Sequence, residues 1–207
     1  MFKRVSSNAP IVGIVTALLL YFYAASLYSA ATTLDPADAG YHHFRNYWCD
    51  LYVPVTYTGQ ANPGRPYALA ATLILATSLL FFWLCVPLLF VEHTLLSRTV
   101  RWGGAIAVIA GALVYTSLHN LVIALAAPLG FAAVLATCTG LAKKREWRLL
   151  ALGAAAVAVA ISDYLIWILG LMRPWQPGIQ KVAFVMIFLW VLVTALKVRS
   201  LAPVRPS

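Results

Sequence analysis

Asp163 stands in the run Ile161-Ser162-Asp163-Tyr164-Leu165-Ile166-Trp167, a carboxylate inside an otherwise apolar stretch. At membrane depth such a group costs about 3 kcal/mol or more unless it is paired, protonated or turned toward a wet cavity. Its retention therefore points to an ion pair, a bound polar group or a partner. Other groups able to do chemistry fall near the same end of the chain's apolar stretches. His119 and Asn120 follow one of them, with Tyr115 one turn earlier. Arg45, Asn46, Asp50 and Asn62 lie in a long polar connection, and Gln180 and Lys181 open the last apolar segment. Together these residues offer donors and acceptors for a polar headgroup or a partner helix. His42, His43, His119 and Asp163 are also the residue types of a zinc site with three protein ligands and a water.

Each has a plainer role as well. Asp163 could form a structural pair with His119, Arg45 or Lys181. His42-His43 suits a solvated pair, since adjacent residues present themselves to one ion less readily than residues one helical turn apart. His119-Asn120 would cap a turn, and Asn46 and Asp50 would satisfy loop backbone. The tyrosines and tryptophans suit a headgroup belt or packing, with Tyr47, Trp48 and Trp175 placed to lie at headgroup level.

Six apolar segments must position these groups. The chain of 207 residues is 62% hydrophobic and only 10% charged, far from the balance of a soluble domain. Stretches of about 20 apolar residues span a bilayer, and they fall at 10–31, 67–91, 102–120, 122–142, 149–171 and 179–197. The expectation is an all-α, polytopic membrane protein: one domain over 1–207 with six transmembrane helices and a long extracytoplasmic loop at about 32–66. Lys and Arg crowd the connections on one side, with eleven of fifteen there if both termini are cytoplasmic. That bias sets the orientation and places the chain in a cytoplasmic (inner) membrane. The net charge of +9 is thereby explained by topology and anionic lipid, and no further basic patch points to nucleic acid. The first segment, about 22 residues long, exceeds the apolar core of a signal peptide and reads as a retained anchor. Cys49, Cys85 and Cys138 show no metal or redox spacing. Pro87 should bend the second span, and Gly103, Ala107 and Gly111 form a row of small residues that predicts tight packing of spans three to five.

The run Asn46-Tyr47-Trp48-Cys49-Asp50-Leu51, followed by Gly59-Gln60-Ala61-Asn62-Pro63 and an apolar span, resembles a bacterial and archaeal six-span family, number nine-nine-eight of the domains of unknown function. A His near the third span and the Gln180-Lys181 step are similar too. Cys49 stands where that family usually has Ser, and Tyr52 where it has Gly. The resemblance implies a six-helix bundle with no assigned reaction, and it marks Asn46, Asp50, Asn62, His119 and Gln180 as the matching positions.

Three functions follow in order. The first is a non-enzymatic membrane protein whose extracytoplasmic polar pocket binds an amphiphile, a lipid headgroup or a partner membrane subunit, with no cofactor. The second is a hydrolase or transferase acting on lipid-linked substrates, zinc-dependent through His42, His43, His119 and Asp163. The ceramidase-like hydrolases it would resemble carry a His-xxx-His pair on the last helix, and this chain has no His there. The third is a small transporter or proton-coupled carrier, which needs a route through both halves of the bilayer, and the inner halves of the spans hold almost no ionisable groups.

Overall fold

A computed structural model describes residues 2–29, 40–90, 92, 94–172 and 174–201, with the side chains of residues 2–7 and His119 outside that set. Helix α1 (Phe2–Leu27) leads into a polar loop containing a 3-10 turn, Trp48–Tyr52. Helix α2 (Arg65–Cys85) continues as a 3-10 turn over Val86–Phe90, so the helical winding tightens around Pro87. The third leg is pieced together from α3 (Thr94–Arg98), a π-helical turn (Thr99–Gly103) and α4 (Gly104–Gly111). Helices α5 (His119–Lys143), α6 (Trp147–Leu169) and α7 (Gln176–Ser200) complete the chain. The described residues include no strand beyond an isolated bridge between Val55 and Ala61.

Among the described residues, five helices are long and apolar enough to cross a membrane. The sixth segment departs from expectation. The apolar stretch at 102–120 is not one helix: helical backbone runs from Thr94 to Gly111, and residues 112–118 form turns. Thr116 explains the end of the helix, because its hydroxyl donates to Leu113 O (2.8 Å) and accepts from Leu118 N (3.3 Å). A hydroxyl that engages nearby backbone in this way offers the chain an alternative to the helical ladder. At the start of the leg, Ser97 Oγ donates to Phe90 O (3.1 Å) and ties it to the end of α2.

Small residues set the helix approaches, in part where the Gly103 row predicts: a Cβ on Gly103 would fall 3.3 Å from Leu129 O, and one on Gly130 3.6 Å from the Ala107 Cβ. A Cβ on Gly13 would fall 1.5 Å from Ser78 Oγ, one on Gly104 2.2 Å from the Trp83 ring, and one on Gly140 2.6 Å from Phe90. The same holds for Gly153 against Trp190 (2.6 Å), whose indole N–H donates to Leu149 O (3.1 Å) and pins α7 to α6. Backbones approach this closely where lipid supplies no hydrophobic drive for association. By contrast, a Cβ on Gly111 would meet nothing within 4 Å. The main core runs through Ile14, Phe82, Trp83, Phe90, Leu141, Trp190 and Val191. Helices α5 and α6 are the least enclosed, with 17% of their apolar windows buried against 33–44% for α1, α2 and α7. The expected tight cluster of spans three to five is therefore formed only in part: the third leg packs closely on α5, while α6 packs less on α5. Of the α6 alanines at 154, 155, 156, 158 and 160, only Ala156 is buried.

Candidate functional site

Chain connectivity puts the end of α1, the starts of α2, α5 and α7 and the end of α6 at one end of the bundle, beside the loop. The loop closes over α1, α2 and α7 through residues chosen for hydrogen bonding. Asn46 is fully buried, and its Oδ1 accepts from His42 N (2.8 Å), closing the turn whose Arg45 and Asn46 amides donate to His42 O. Asn46 Nδ2 donates to Asp50 Oδ2 (3.2 Å), which also accepts from Tyr47 N (2.9 Å). The latter bond is the reach-back of an acidic residue onto a helix start. Asp50 Oδ1 accepts from the Tyr57 hydroxyl (3.1 Å). Burial raises the Asp50 carboxyl above the usual carboxylate range, while these three donors and nearby Lys181 pull the other way.

Helix α7 clamps this turn from beside. The Lys181 ammonium donates to the carbonyls of Asn46 and Pro177 and lies 5.5 Å from the Tyr41 ring centroid. The Tyr47 hydroxyl donates to Gln176 Oε1 (2.6 Å), and Trp48 N reaches Gln180 Oε1 at 3.5 Å. The Trp48 ring stacks on Tyr21 at 5.0 Å and packs on Phe184 at 4.9 Å. Trp48 and Tyr47 thus take the packing role of the two open to them rather than that of a headgroup belt. Cys49, between Trp48 and Asp50, has its thiol pushed up to about 11, first by burial and then by the Asp50 charge.

Asn62 seals the other flank. Its Nδ2 donates to Leu51 O (3.0 Å) and Val53 O (3.1 Å), and its Oδ1 accepts from Gly64 N (3.0 Å). A side chain at Gly64 would strike Ala24 O at 2.3 Å, so glycine lets α1 and the start of α2 touch. Arg65 Nε donates to Tyr52 O (2.9 Å). Below lies a triangle of hydroxyls: Tyr21 to Tyr52 (2.6 Å), Tyr21 to Thr72 (2.7 Å) and Thr72 to Tyr52 (2.9 Å). Tyr52 and Thr72 were not singled out from sequence. The seven-residue spacing of Tyr21 and Tyr28, both of them buried, was the available signal. The Tyr28 hydroxyl is buried without a partner among the described residues, and burial and the Asp50 charge push its pKa up to about 12.

Of the candidate residues, then, Asn46, Asp50, Asn62, Gln180 and Lys181 meet in one network, and Arg45 belongs to its turn. The rest do not join them. Tyr115 lies in the exposed turn after α4, so it does not share a helical face with His119. Asn120 opens α5, exposed but not without interaction. The side chain of His119 lies outside the described residues. His42 and His43 are exposed on the loop; burial, then Lys181 and His42, lowers the pKa of His43. Among the described residues no three His, Cys, Asp or Glu side chains come together.

Asp163 stands apart on α6, which packs against α5 and α7. The helix ends at Leu169, six residues on, so the carboxylate lies about 9 Å below the loop-side end. It lies on the stripe Gly153, Ala156, Ala160, Asp163, whose lower part is buried against the bundle; burial lessens at Ala160 and Asp163, and Tyr164, Leu165 and Trp167 are exposed. Asp163 Oδ1 is shielded from solvent yet has no hydrogen-bond partner among the described residues. The pairings with Arg45 or Lys181 are not made: Lys181 is spent on carbonyls. Gly170 ends the helix in the left-handed conformation (φ 64°), which glycine adopts without strain. No family model, no curated protein and no solved structure matches the chain.

Proposed function

We propose that this chain is a non-catalytic membrane protein that binds a polar-headed amphiphile or a partner subunit through the open α5–α6 side, with Asp163 as the recognition point. The observation that carries this reading is the orphaned carboxylate on a thinly enclosed helix. Buried polar atoms are ordinarily satisfied, and a carboxylate at membrane depth is costly unless something answers it. The loop network plays a different part in the reading. Its groups are mutually satisfied, which suits a rigid plug holding α1, α2 and α7, not an exchanging ligand. Six crossings, with both termini in the cytoplasm and the loop outside an inner membrane, complete the proposal; Thr94–Gly111 is its short third crossing. Membership of the six-span family belongs to it too, and four of the five matching positions (Asn46, Asp50, Asn62 and Gln180) do meet in the plug.

Labelling with a hydrophobic carbodiimide, read out by mass spectrometry of the α6 peptide, tests the reading. Asp163 should be protected in native membranes and become reactive after purification in a stripping detergent. Equal labelling in both settings would show that nothing covers it.

A further inference from the structure

The face around Asp163 says more about its occupant than that it is polar somewhere. On α6, Leu149, Gly153 and Ala156 are buried, all in the half farther from the loop, whereas Ile161, Tyr164, Leu165, Trp167, Ile168 and Leu169 are exposed. The facing half of α5 behaves alike: Leu121, Ile123, Leu125, Leu129 and Phe131 are exposed, and Val122 is the buried residue among them. Both helices therefore leave their loop-side halves largely exposed and apolar, with the half-buried Asp163 at the edge of the α6 face.

Resting on the proposed function above, we infer that this face docks a transmembrane helix of another protein carrying a Lys or Arg at the depth of Asp163. Acyl chains can cover the apolar part of such a face, but they offer nothing to a carboxylate. A lipid ammonium stays at headgroup level, whereas Asp163 lies about 9 Å below the end of α6. A basic side chain on a helix can be placed at any depth, and intramembrane ionisable groups are met by such partners. The exposed apolar rows on α5 and α6 extend over several turns, the length over which a helix packs. A second copy of this chain fits less well. Among the described residues its loop-side cations are engaged: Lys181 on Asn46 O and Pro177 O, Arg65 on Tyr52 O, and Arg45 in an interaction of its own.

The test uses full-length protein in lipid nanodiscs and synthetic Leu/Ala transmembrane peptides with one Lys about 9 Å from the matching end, or Leu there instead. Binding is read by fluorescence energy transfer. The Lys peptide should bind at least about tenfold more tightly than the Leu peptide. Asp163→Asn should abolish that preference, and Asp163→Lys should transfer it to a peptide bearing Asp. Hydrogen exchange of residues 40–64 in each variant checks that the loop plug, and so the fold, is intact. Equal binding of Lys and Leu peptides overturns the helix proposal. If a short-chain aminolipid then protects Asp163 from carbodiimide, the amphiphile reading survives alone; if neither peptide nor lipid protects it, both fall. Asp163-dependent self-association in nanodiscs at rising protein density would instead assign the face to a second copy and overturn the proposal.

Discussion

Replacing Asn62 by Ala tests whether the loop is a rigid plug. Asn62 is 6% exposed and makes three hydrogen bonds, donating to Leu51 O and Val53 O and accepting from Gly64 N. Each neutral bond contributes about 1 kcal/mol net, and more is lost when its partner stays buried and unpaired. Leu51 is fully buried, so at least its carbonyl should pay that larger penalty. The expected cost is about 3 kcal/mol, and because all three bonds hold one segment, it should fall on local opening of the loop. Hydrogen exchange followed by mass spectrometry is the direct assay: amides in 40–64 should exchange about 100-fold faster, with the central turns of α2 and α7 little changed. Asn62→Asp sharpens the logic. It keeps the acceptor for Gly64 N but turns a carboxylate toward two carbonyl oxygens, so at neutral pH it should be no better than Ala. On acidification the carboxyl gains a proton it can donate, so protection should recover as pH falls. A loop whose exchange changes by less than about threefold in Asn62→Ala would refute the plug, because it would mean these bonds are not what holds it.

Asp50 and Cys49 give two further checks. The folded Asp50 carboxyl titrates above its ordinary 3.8, chiefly through burial; the folded state then holds its proton more tightly than the unfolded state. Stability from this group is present at low pH and declines as pH rises from about 3.8 through the raised folded value. The difference in unfolding free energy between wild type and Asp50→Asn should move in that sense across the window and flatten above it; a difference rising with pH would contradict the burial argument. For Cys49, a pKa pushed up to about 11 leaves about one thiol in a thousand ionised at pH 8, about 100-fold fewer than at the ordinary 9.0. Greater nucleophilicity of the more basic thiolate offsets about tenfold of that. In a Cys85→Ala, Cys138→Ala background, alkylation should therefore run at least about tenfold slower than on a free thiol, and a rate matching the free thiol would show that the loop leaves Cys49 open.

The helical membrane character was legible because length and apolarity are properties of runs, and runs survive any uncertainty about packing. The loop network was legible in its residue types, since Asn46, Asp50, Asn62, Gln180 and Lys181 are the side chains that bind backbone where no regular ladder exists. Their mutual arrangement was not, because it depends on α7 standing beside the loop, a contact 135 residues apart in sequence between Lys181 and Asn46. The third span misled hydropathy because apolarity continues through Leu113, Val114 and Leu118 while Thr116 draws the backbone out of the helix. Asp163 could be given a depth from sequence, yet not a direction. Rotation about a helix axis is fixed by close contacts such as Gly153 against Trp190, and these decide which way Asp163 faces.

That rotation separates two kinds of polar investment. Within the plug, each charge is answered inside the chain: Asp50 by three donors, Lys181 by two carbonyls and a ring face. Such a network specifies one arrangement of α1, α2 and α7 and leaves little to offer a visitor. On α6, one carboxylate is left unanswered among the described residues, on the side of the bundle where enclosure is thinnest. Were Asp163 there for stability, a Leu would serve better, since apolar residues commonly match or exceed buried charges in stabilising a fold. A group that the fold does not need, placed where the fold is open, is most economically explained by something that arrives from outside it. The rigid half of the molecule then acts as the frame that fixes the angle at which the open half meets its partner.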